Sequence, residues 1–489
     1  MDTLTLGTFM KAKSFCFSFL LIIIPYQVIG SNHVLSSSLK SKKSLFSYRE
    51  NYKKITLQEA VSQGLLSNQD EKIREYREDI LDIDYKNNHD QFWWPSLKIE
   101  ATTLPHRIGS LSTSENDSTR SDKFPKGSLG FSIDNYTLFN WGKDYLEFLN
   151  KKEDYHRSKQ KIKEERRELE HDIIVNYFKL LTLKKVAKIG KKNLRFFSFI
   201  YRFNRERLSL KKIKNQEFLE SRGHYLEAQE FFQNSFHKAR LGDQSLAELL
   251  NDSPGTKYIL KSKLIFKKLQ TPLEESLKLS LELNSKIKDA KVSLKNTHRN
   301  YEKTLREILP LPKISLNLGT YKYFFGRNES VFRYEAEEGN SNIDVVATLN
   351  ASWTILGEGG FFNQRTLKKS TLNQNLAYKK LQKEKISLKR KIGSLYYRLL
   401  FLQKMIPLLQ SQVKNLDKTF SETLENYRDG KTTLIQFKNA LQGLTKSQIK
   451  LETFLFEHLQ KKFILATEMG VDFIPGENIS LLSREKGDD

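Results

Sequence analysis

Leu57-Gln58-Glu59-Ala60-Val61, with Leu65 and Asn68 behind it, is answered 216 residues later by Leu273-Glu274-Glu275-Ser276-Leu277, with Leu281 and Asn284 behind it. Two further motifs keep register at an offset of 217. Pro95-Ser96-Leu97-Lys98-Ile99-Glu100 is matched by Pro312-Lys313-Ile314-Ser315-Leu316-Asn317. Tyr136-Thr137-Leu138-Phe139-Asn140-Trp141-Gly142 is matched by Trp353-Thr354-Ile355-Leu356-Gly357-Glu358-Gly359. Three motifs in step make chance a poor explanation, and an internal repeat constrains architecture before any single element does. Each half reads as one helix–hairpin–helix unit, over 55–270 and 271–475.

Working outward from these motifs, Thr56 with Glu59 three residues on is a capping-box pattern. Helical sequence then runs to Trp93-Trp94, with a short interruption at Ser67-Asn68, and Pro95 stops it. Beyond Pro95 the period changes to two. Leu97, Ile99, Ala101 and Thr103 alternate with polar neighbours, and so do Leu129, Phe131 and Ile133. In the second half Ile314, Leu316 and Leu318 alternate in the same way, followed by Val345, Ala347, Leu349, Ala351 and Trp353. The expected strands are about 96–104, 127–139, 312–325 and 343–356. Four such segments with one apolar and one polar face carry the signature of a transmembrane barrel. Residues 105–126 and 326–342 read as exposed loops. Aromatics collect at the strand ends, among them Trp93, Trp94, Trp141, Tyr321, Tyr323 and Trp353, as in the girdles at membrane interfaces.

Long helical hairpins follow each strand pair, over 143–250 and 361–469. Lys143 to Leu208 contains no proline, and 66 helical residues extend roughly 100 Å. The matching stretch from Phe361 is expected to kink at Pro407. Asn251-Asp252-Ser253-Pro254-Gly255 breaks the first return helix and Gly470 ends the second. Residues 31–54 read as a disordered lead-in and 476–489 as a tail.

Lys11 and Lys13 precede an apolar run from Phe15 to Ile24, too short to span a bilayer, and Val28-Ile29-Gly30 offers small residues for cleavage. Residues 1–30 therefore read as an export signal, with an anchoring helix as the competing reading. The only cysteine, Cys16, falls inside it, so the processed chain has no disulfide and no thiolate metal site. The net charge of +24 would ordinarily raise nucleic acid as a partner, but an exported chain meets phosphate mainly as lipid and lipopolysaccharide head groups. No HExxH pair, no phosphate-binding Gly-x4-Gly-Lys loop and no cofactor motif stands in the sequence, and an enzyme is not expected.

A four-stranded sheet cannot stand alone in hydrocarbon, because its two edges would leave N–H and C=O groups unpaired. It must close with sheets from other copies, into barrels of about 8, 12 or 16 strands.

These motifs, in this order and in duplicate, resemble those of TolC-like outer-membrane efflux proteins across nearly all of 55–475. The carrying residues are Leu57-x-Glu59-Ala60 with Asn68, Pro95-Ser96-Leu97, Trp353-Thr354-Ile355-Leu356-x-x-Gly359, and Tyr427-Arg428-Asp429-Gly430-Lys431-Thr432-Thr433-Leu434. The resemblance implies an α+β membrane protein, a tandem-repeat protomer of a homotrimer. Its twelve-stranded barrel would stand in the outer membrane of a Gram-negative bacterium, continued by a coiled-coil α-helical tunnel in the periplasm. It further implies a periplasmic adaptor and an inner-membrane pump of RND or ABC type. Drugs, toxic small molecules, metal ions or type I secreted proteins would be the cargo. Residues 251–270 and those after Gly470 would form the equatorial region around the tunnel.

For individual residues, the family's adaptor-facing turn glycine matches Gly430, beside Lys431. The equivalent first-half turn reads Leu208-Ser209-Leu210-Lys211-Lys212, with Lys211 where glycine is typical. Family aspartates that ring the periplasmic entrance fall here on Gln436 and Asn439, with Lys438 between them. The expected entrance is therefore neutral or basic and favours anions. The rival from another class is an exported, non-transporting coiled-coil scaffold or adhesin, which would explain the helices but not the four alternating segments.

Overall fold

A computed structural model describes residues 52–103, 127–324, 344–355, 360, 363–478 and 483–485. The readings of an export signal at 1–30, a lead-in at 31–51, and loops at 105–126 and 326–342 fall outside those residues. So do Gly357 and Gly359.

In chain order the elements are β1 (Tyr52–Ile55), α1 (Leu57–Ser67), α2 (Gln69–Trp93), β2 (Leu97–Thr103), β3 (Gly127–Phe139), α3 (Lys143–Ser209), α4 (Asn215–Leu249), β4 (Lys257–Leu260) and β5 (Ser262–Leu264). They continue as α5 (Leu273–Leu283), α6 (Ser285–Ile308), β6 (Lys313–Phe324), β7 (Asp344–Ser352), α7 (Gln364–Arg428), α8 (Leu434–Met469) and β8 (Ser483–Glu485). Two helices, two strands, a long helix and a return helix thus occur twice in the same order.

Local chemistry explains the short helices. The Thr56 N–H donates to Glu59 Oε2 at 2.8 Å, and the Glu59 N–H donates to Thr56 Oγ1 at 3.3 Å, closing the capping box that starts α1. The two matched asparagines each serve two helices. Asn68 Oδ1 accepts from the Asp70 N–H at the start of α2 (2.7 Å), while its amide donates to the Leu249 carbonyl at the end of α4 (2.9 Å). Asn284 repeats this, accepting from the Ile287 N–H of α6 (3.2 Å) and donating to the Glu468 carbonyl of α8 (2.9 Å). One side chain thereby satisfies an orphan donor of one helix and an orphan acceptor of another.

α3 and α7 are the long members, with 67 and 65 residues. On the sheet side, α2 packs on α3, α3 on α6 and α6 on α7; farther along, α3 and α7 both pack on α8, and α4 on α3. The α3–α6 contact is polar at one level, where buried Arg157 donates to Glu164 (2.8 Å) and to Ser285 Oγ (2.7 Å). The contacts of α7 are apolar: its Leu381, Leu388, Ile392 and Leu399 cluster with Ile287 of α6 and Leu465 of α8. α7 runs through Pro407, the position of the expected kink, as one continuous helical segment. Proline removes one ladder bond, and buried Ile406 and Leu409 on either side hold the segment in place.

Two corrections concern the chain ends. Residues 52–54, expected in a disordered lead-in, belong to β1, which pairs in parallel with β4 from Tyr52↔Lys257 to Ile55↔Leu260. Lys53 Nζ holds Asp252 at 2.8 Å, and Tyr258 Oη donates to the same carboxylate at 2.7 Å. Buried Tyr177 of α3 locks this junction, its hydroxyl donating to the Ile55 carbonyl (3.1 Å) and accepting from the Ser262 N–H (3.2 Å). The expected tail also contributes a strand, β8, antiparallel to β5.

His458 of α8 is buried against the Phe266 ring and the Gln403 amide, with the Lys462 ammonium one turn away. Burial, then the Lys462 charge, pushes its pKa down from 6.5 to about 3. The folded chain therefore holds His458 neutral while the unfolded chain takes up a proton near 6.5. The stabilisation is complete above that pH and is lost as pH falls toward 3. Melting curves between pH 7 and pH 4 should lose about 1 kcal/mol per pH unit from this group. The His458→Gln chain should show a correspondingly flatter profile, and equal slopes would contradict the assignment.

Candidate functional site

The four strands between the helices form one antiparallel sheet in the order β2-β3-β6-β7. Register places Leu97, Ile133, Leu318 and Ala347 in one row across it, and Ile99, Phe131, Thr320 and Val345 in another. Leu97 and Ile99 are 67% and 66% exposed and Leu349 is 65% exposed, so the apolar face of the sheet is uncovered in the single chain. Among the described residues, both edge strands, β2 and β7, carry a ladder on one side only.

Simple alternation does not describe β3 throughout. The ladder slips between Ile133 and Tyr136, where Asn135 takes φ +51° and donates its N–H to Asn317 Oδ1 at 2.5 Å. This bulge brings Tyr136, rather than Asn135, opposite Leu316 and so keeps the row Tyr136, Leu316, Leu349 intact. β7 stops at Ser352, short of the expected 356, and Trp353 follows it outside the ladder.

All four tryptophans stand at the helix-side end of the sheet, and Trp93, Trp94, Trp141 and Trp353 are exposed. Trp141 Nε1 donates to the Pro312 carbonyl at 3.0 Å, and Tyr136 Oη donates to the Trp93 carbonyl at 3.0 Å. Tyr321 and Tyr323 lie in the β6 ladder toward its other end.

At the far end of the long helices lie two tight turns. After α3, the Lys211 N–H bonds to the Leu208 carbonyl (2.9 Å) and the Lys212 N–H to that of Arg207 (2.8 Å). After α7, the Gly430 N–H bonds to the Tyr427 carbonyl (3.1 Å) and the Lys431 N–H to that of Asn426 (2.8 Å). Both are Schellman closures, which require a left-handed residue. Gly430 supplies it at φ +75° and Lys211 at φ +54°. A Cβ at Gly430 would meet nothing within 4 Å, so backbone conformation alone calls for glycine there.

These turns lie side by side. Tyr427 Oη donates to the fully buried Asn204 Oδ1 at 3.0 Å, and Tyr427 packs on Phe203 and Phe437. Burial raises the Tyr427 pKa, so its hydroxyl stays a donor. Leu210, Lys211 and Lys431 are exposed, with Lys431 paired to Asp429 at 3.0 Å.

Of the expected entrance residues, Gln436 has a local task. Its Oε1 accepts from the Thr433 N–H (3.0 Å) while its own N–H donates to Thr433 Oγ1 (3.3 Å), a capping box that starts α8. Thr433-x-x-Gln436 carried that signal in sequence. Lys438 is half-buried and Asn439 exposed, flanking the buried Phe437. Residues 200–222 and 422–440 together hold ten basic and six acidic side chains.

No protein-family model and no curated protein matches the chain. Solved structures do. The Campylobacter jejuni CmeC outer membrane channel superposes with a TM-score of 0.67 at 15% identity, covering 87% of each chain. The Vibrio cholerae outer membrane protein VceC gives 0.69 at 12% identity, covering 85% of this chain and 96% of its own. The open-state Neisseria gonorrhoeae MtrE outer membrane channel gives 0.65 at 14%, covering 85% and 89%. The chain therefore has the fold of the outer-membrane factor channels, and the likeness to TolC-like proteins holds at that level.

Because Lys211 occupies a left-handed position that costs a non-glycine residue about 1 kcal/mol, Lys211→Gly should stabilise the helical hairpin. A rise of about one degree in melting temperature is the expected reading, and a lower melting temperature would contradict it.

Proposed function

We propose that this chain is one protomer of an outer-membrane exit duct, passing cargo from a periplasmic adaptor and an inner-membrane pump to the exterior. The observation that carries the reading is the four-stranded sheet with an uncovered apolar face and two free edges. In water that face costs about 25 cal/mol for every Å² of apolar surface left exposed. In hydrocarbon the face is satisfied, but the edge N–H and C=O groups are not. Ring closure with further copies resolves both demands, and likeness to TolC-like proteins selects three copies and twelve strands.

Below the sheet, the helices would continue the ring as a tunnel ending at the paired turns. The tips at Leu210–Lys211 and Gly430–Lys431 are the adaptor-docking surface in this reading, and Lys438 and Asn439 stand near the entrance. Lipid and lipopolysaccharide would surround the barrel, with Trp93, Trp94, Trp141 and Trp353 at the periplasmic interface and Tyr321 and Tyr323 nearer the outer one. The residues perform no bond chemistry; their work is geometric. Efflux and type I secretion both fit this arrangement. An exported scaffold or adhesin would account for the helices but would leave the apolar sheet face without a purpose.

The full-length chain, purified from the outer-membrane fraction in mild detergent, should migrate as a heat-modifiable trimer and conduct in planar bilayers. Recovery as a soluble, non-conducting protein would overturn the duct. With ten basic against six acidic residues near the tips, and neutral Gln436 and Asn439, the reversal potential under a salt gradient should report anion preference. Clear cation selectivity would overturn that part of the reading.

Gly430→Val places a β-branched residue at φ +75°. The trimer should survive, because the turn is local and exposed, while adaptor coupling falls. Loss of the trimer would instead assign Gly430 a purely structural role.

A further inference from the structure

The short strands midway along the helices have no task in the duct reading, yet they are built to show one face. Burial alternates along them: Tyr258, Leu260 and Ser262 are buried, while Ile259, Lys261, Lys263 and Ile265 are exposed. β1 lies parallel to β4, and its register puts Tyr52 and Lys54 on the same side as Lys257 and Ile259. The inner side is occupied by packing. Tyr258 and Leu260 join Ile55, Leu57 and Tyr177 in the core, and Ser262 Oγ accepts from the Leu57 N–H at 3.1 Å. The outer side is open to solvent, with Tyr52 64% and Ile259 44% exposed.

This outer face is basic. From Thr256 to Gln270 the chain holds five lysines and no acid. Lys54, Lys261 and Lys268 are exposed and make no salt bridge among the described residues. Acids nearby are engaged elsewhere. Asp252 holds Lys53, Tyr258 and Gln63, Asp243 holds Lys184, and Glu59, whose carboxylate feels the Lys261 charge, closes the α1 cap. The Lys257 ammonium lies 5.5 Å from the centre of the Tyr52 ring, so cation and ring already stand together.

Position narrows the partner. Tyr177 of α3 bonds to Ile55 and to Ser262 and so marks the level of these strands. At about 1.5 Å per residue it lies roughly 50 Å from Lys143, where α3 leaves the sheet, and about as far from the turn at Lys211. Lipid head groups around the sheet do not reach this level, and neither does a partner confined to the tips. Same-face lysines follow every second residue, about 6.6 Å apart, which makes a row and not a pocket. A row suits charge repeated along a polymer better than a single phosphate.

We propose that this basic, tyrosine-bearing face binds the glycan of the cell wall, an extended chain of sugar rings whose peptide branches end in carboxylates. The proposal rests on the duct reading only for placing the strands in the periplasm. Lys54, Lys261 and Lys263 meet the carboxylates, while Tyr52 and Ile259 give the sugar rings an apolar surface to lie on. Exposed ion pairs of this kind are individually weak, and three copies around one duct add them as avidity. Such attachment holds the duct at a fixed depth in the wall.

Sedimentation with purified cell-wall sacculi tests this. The full-length chain in mild detergent should pellet with sacculi at low salt and be released as salt rises. Sacculi whose carboxylates are blocked as amides should retain about tenfold less. The triple variant Lys54→Gln, Lys261→Gln, Lys263→Gln should fall as far, with melting temperature and conductance unchanged, and Lys54→Arg, Lys261→Arg, Lys263→Arg should bind as the wild type does. Tyr52→Ala should weaken retention without altering charge. Retention indifferent to carboxylate blocking or to the glutamine variant would overturn the proposal, as would tighter binding to vesicles of anionic lipid than to sacculi. A conducting trimer that ignores sacculi would overturn it while leaving the duct intact. A chain that binds sacculi but neither assembles nor conducts would overturn the duct instead.

Discussion

Unpaired backbone groups at a sheet edge are the constraint from which the rest of this structure follows. Among the described residues, β2 and β7 each leave one side of their ladder open. In an aqueous protein such edges can be hydrated, but here they belong to a sheet whose Leu97, Ile99 and Leu349 face outward. No single solvent satisfies both features: water suits the edges and hydrocarbon suits the face. Additional strands suit both. The helices inherit the same incompleteness, because the sheet order β2-β3-β6-β7 is followed by helix packing in the order α2-α3-α6-α7. The open edges of the sheet and of the helical layer therefore fall on the same two sides of the chain.

What the sequence discloses of this arrangement is whatever has a short period or a short range. Alternation over 97–103 and 313–318 needs no tertiary knowledge, and neither does the Thr56–Glu59 capping box. The paired asparagines were visible as a repeated motif, but their role was not. Asn68 bonds to Leu249 across 181 residues and Asn284 to Glu468 across 184, and no local pattern encodes such partners. β1 escaped notice for the same reason: four residues with two lysines become a strand only because β4 arrives beside them. The bulge at Asn135 was hidden because it preserves the apolar rows that alternation alone would have broken.

At the tips, sequence differences hide geometric identity. Lys211 and Gly430 share one closure although only one of them is suited to it. The turn at Lys211 is where α3 and α4 fold back on each other, and near it the Asn204–Tyr427 hydrogen bond ties α3 to α7. Gln436 teaches a related lesson about reading sites by alignment. Gln436, which the resemblance sets at an entrance, is a side chain already committed to its own helix cap.

The strong positive charge of the chain also acquires a location. Fifteen basic against four acidic residues place nearly half of the net +24 on α7 alone. Spread over a surface, that charge would act chiefly on solubility and non-specific binding. Lys54, Lys261 and Lys263 are a different case, because the short strands gather them on one face with Tyr52 and Ile259. Asp252 carries compensating charge nearby, yet it is held by Lys53 and Tyr258. A total counts all of these lysines alike. Alternation sorts them, since successive residues of a strand face opposite ways, and that sorting turns surplus charge into a surface with a preferred partner.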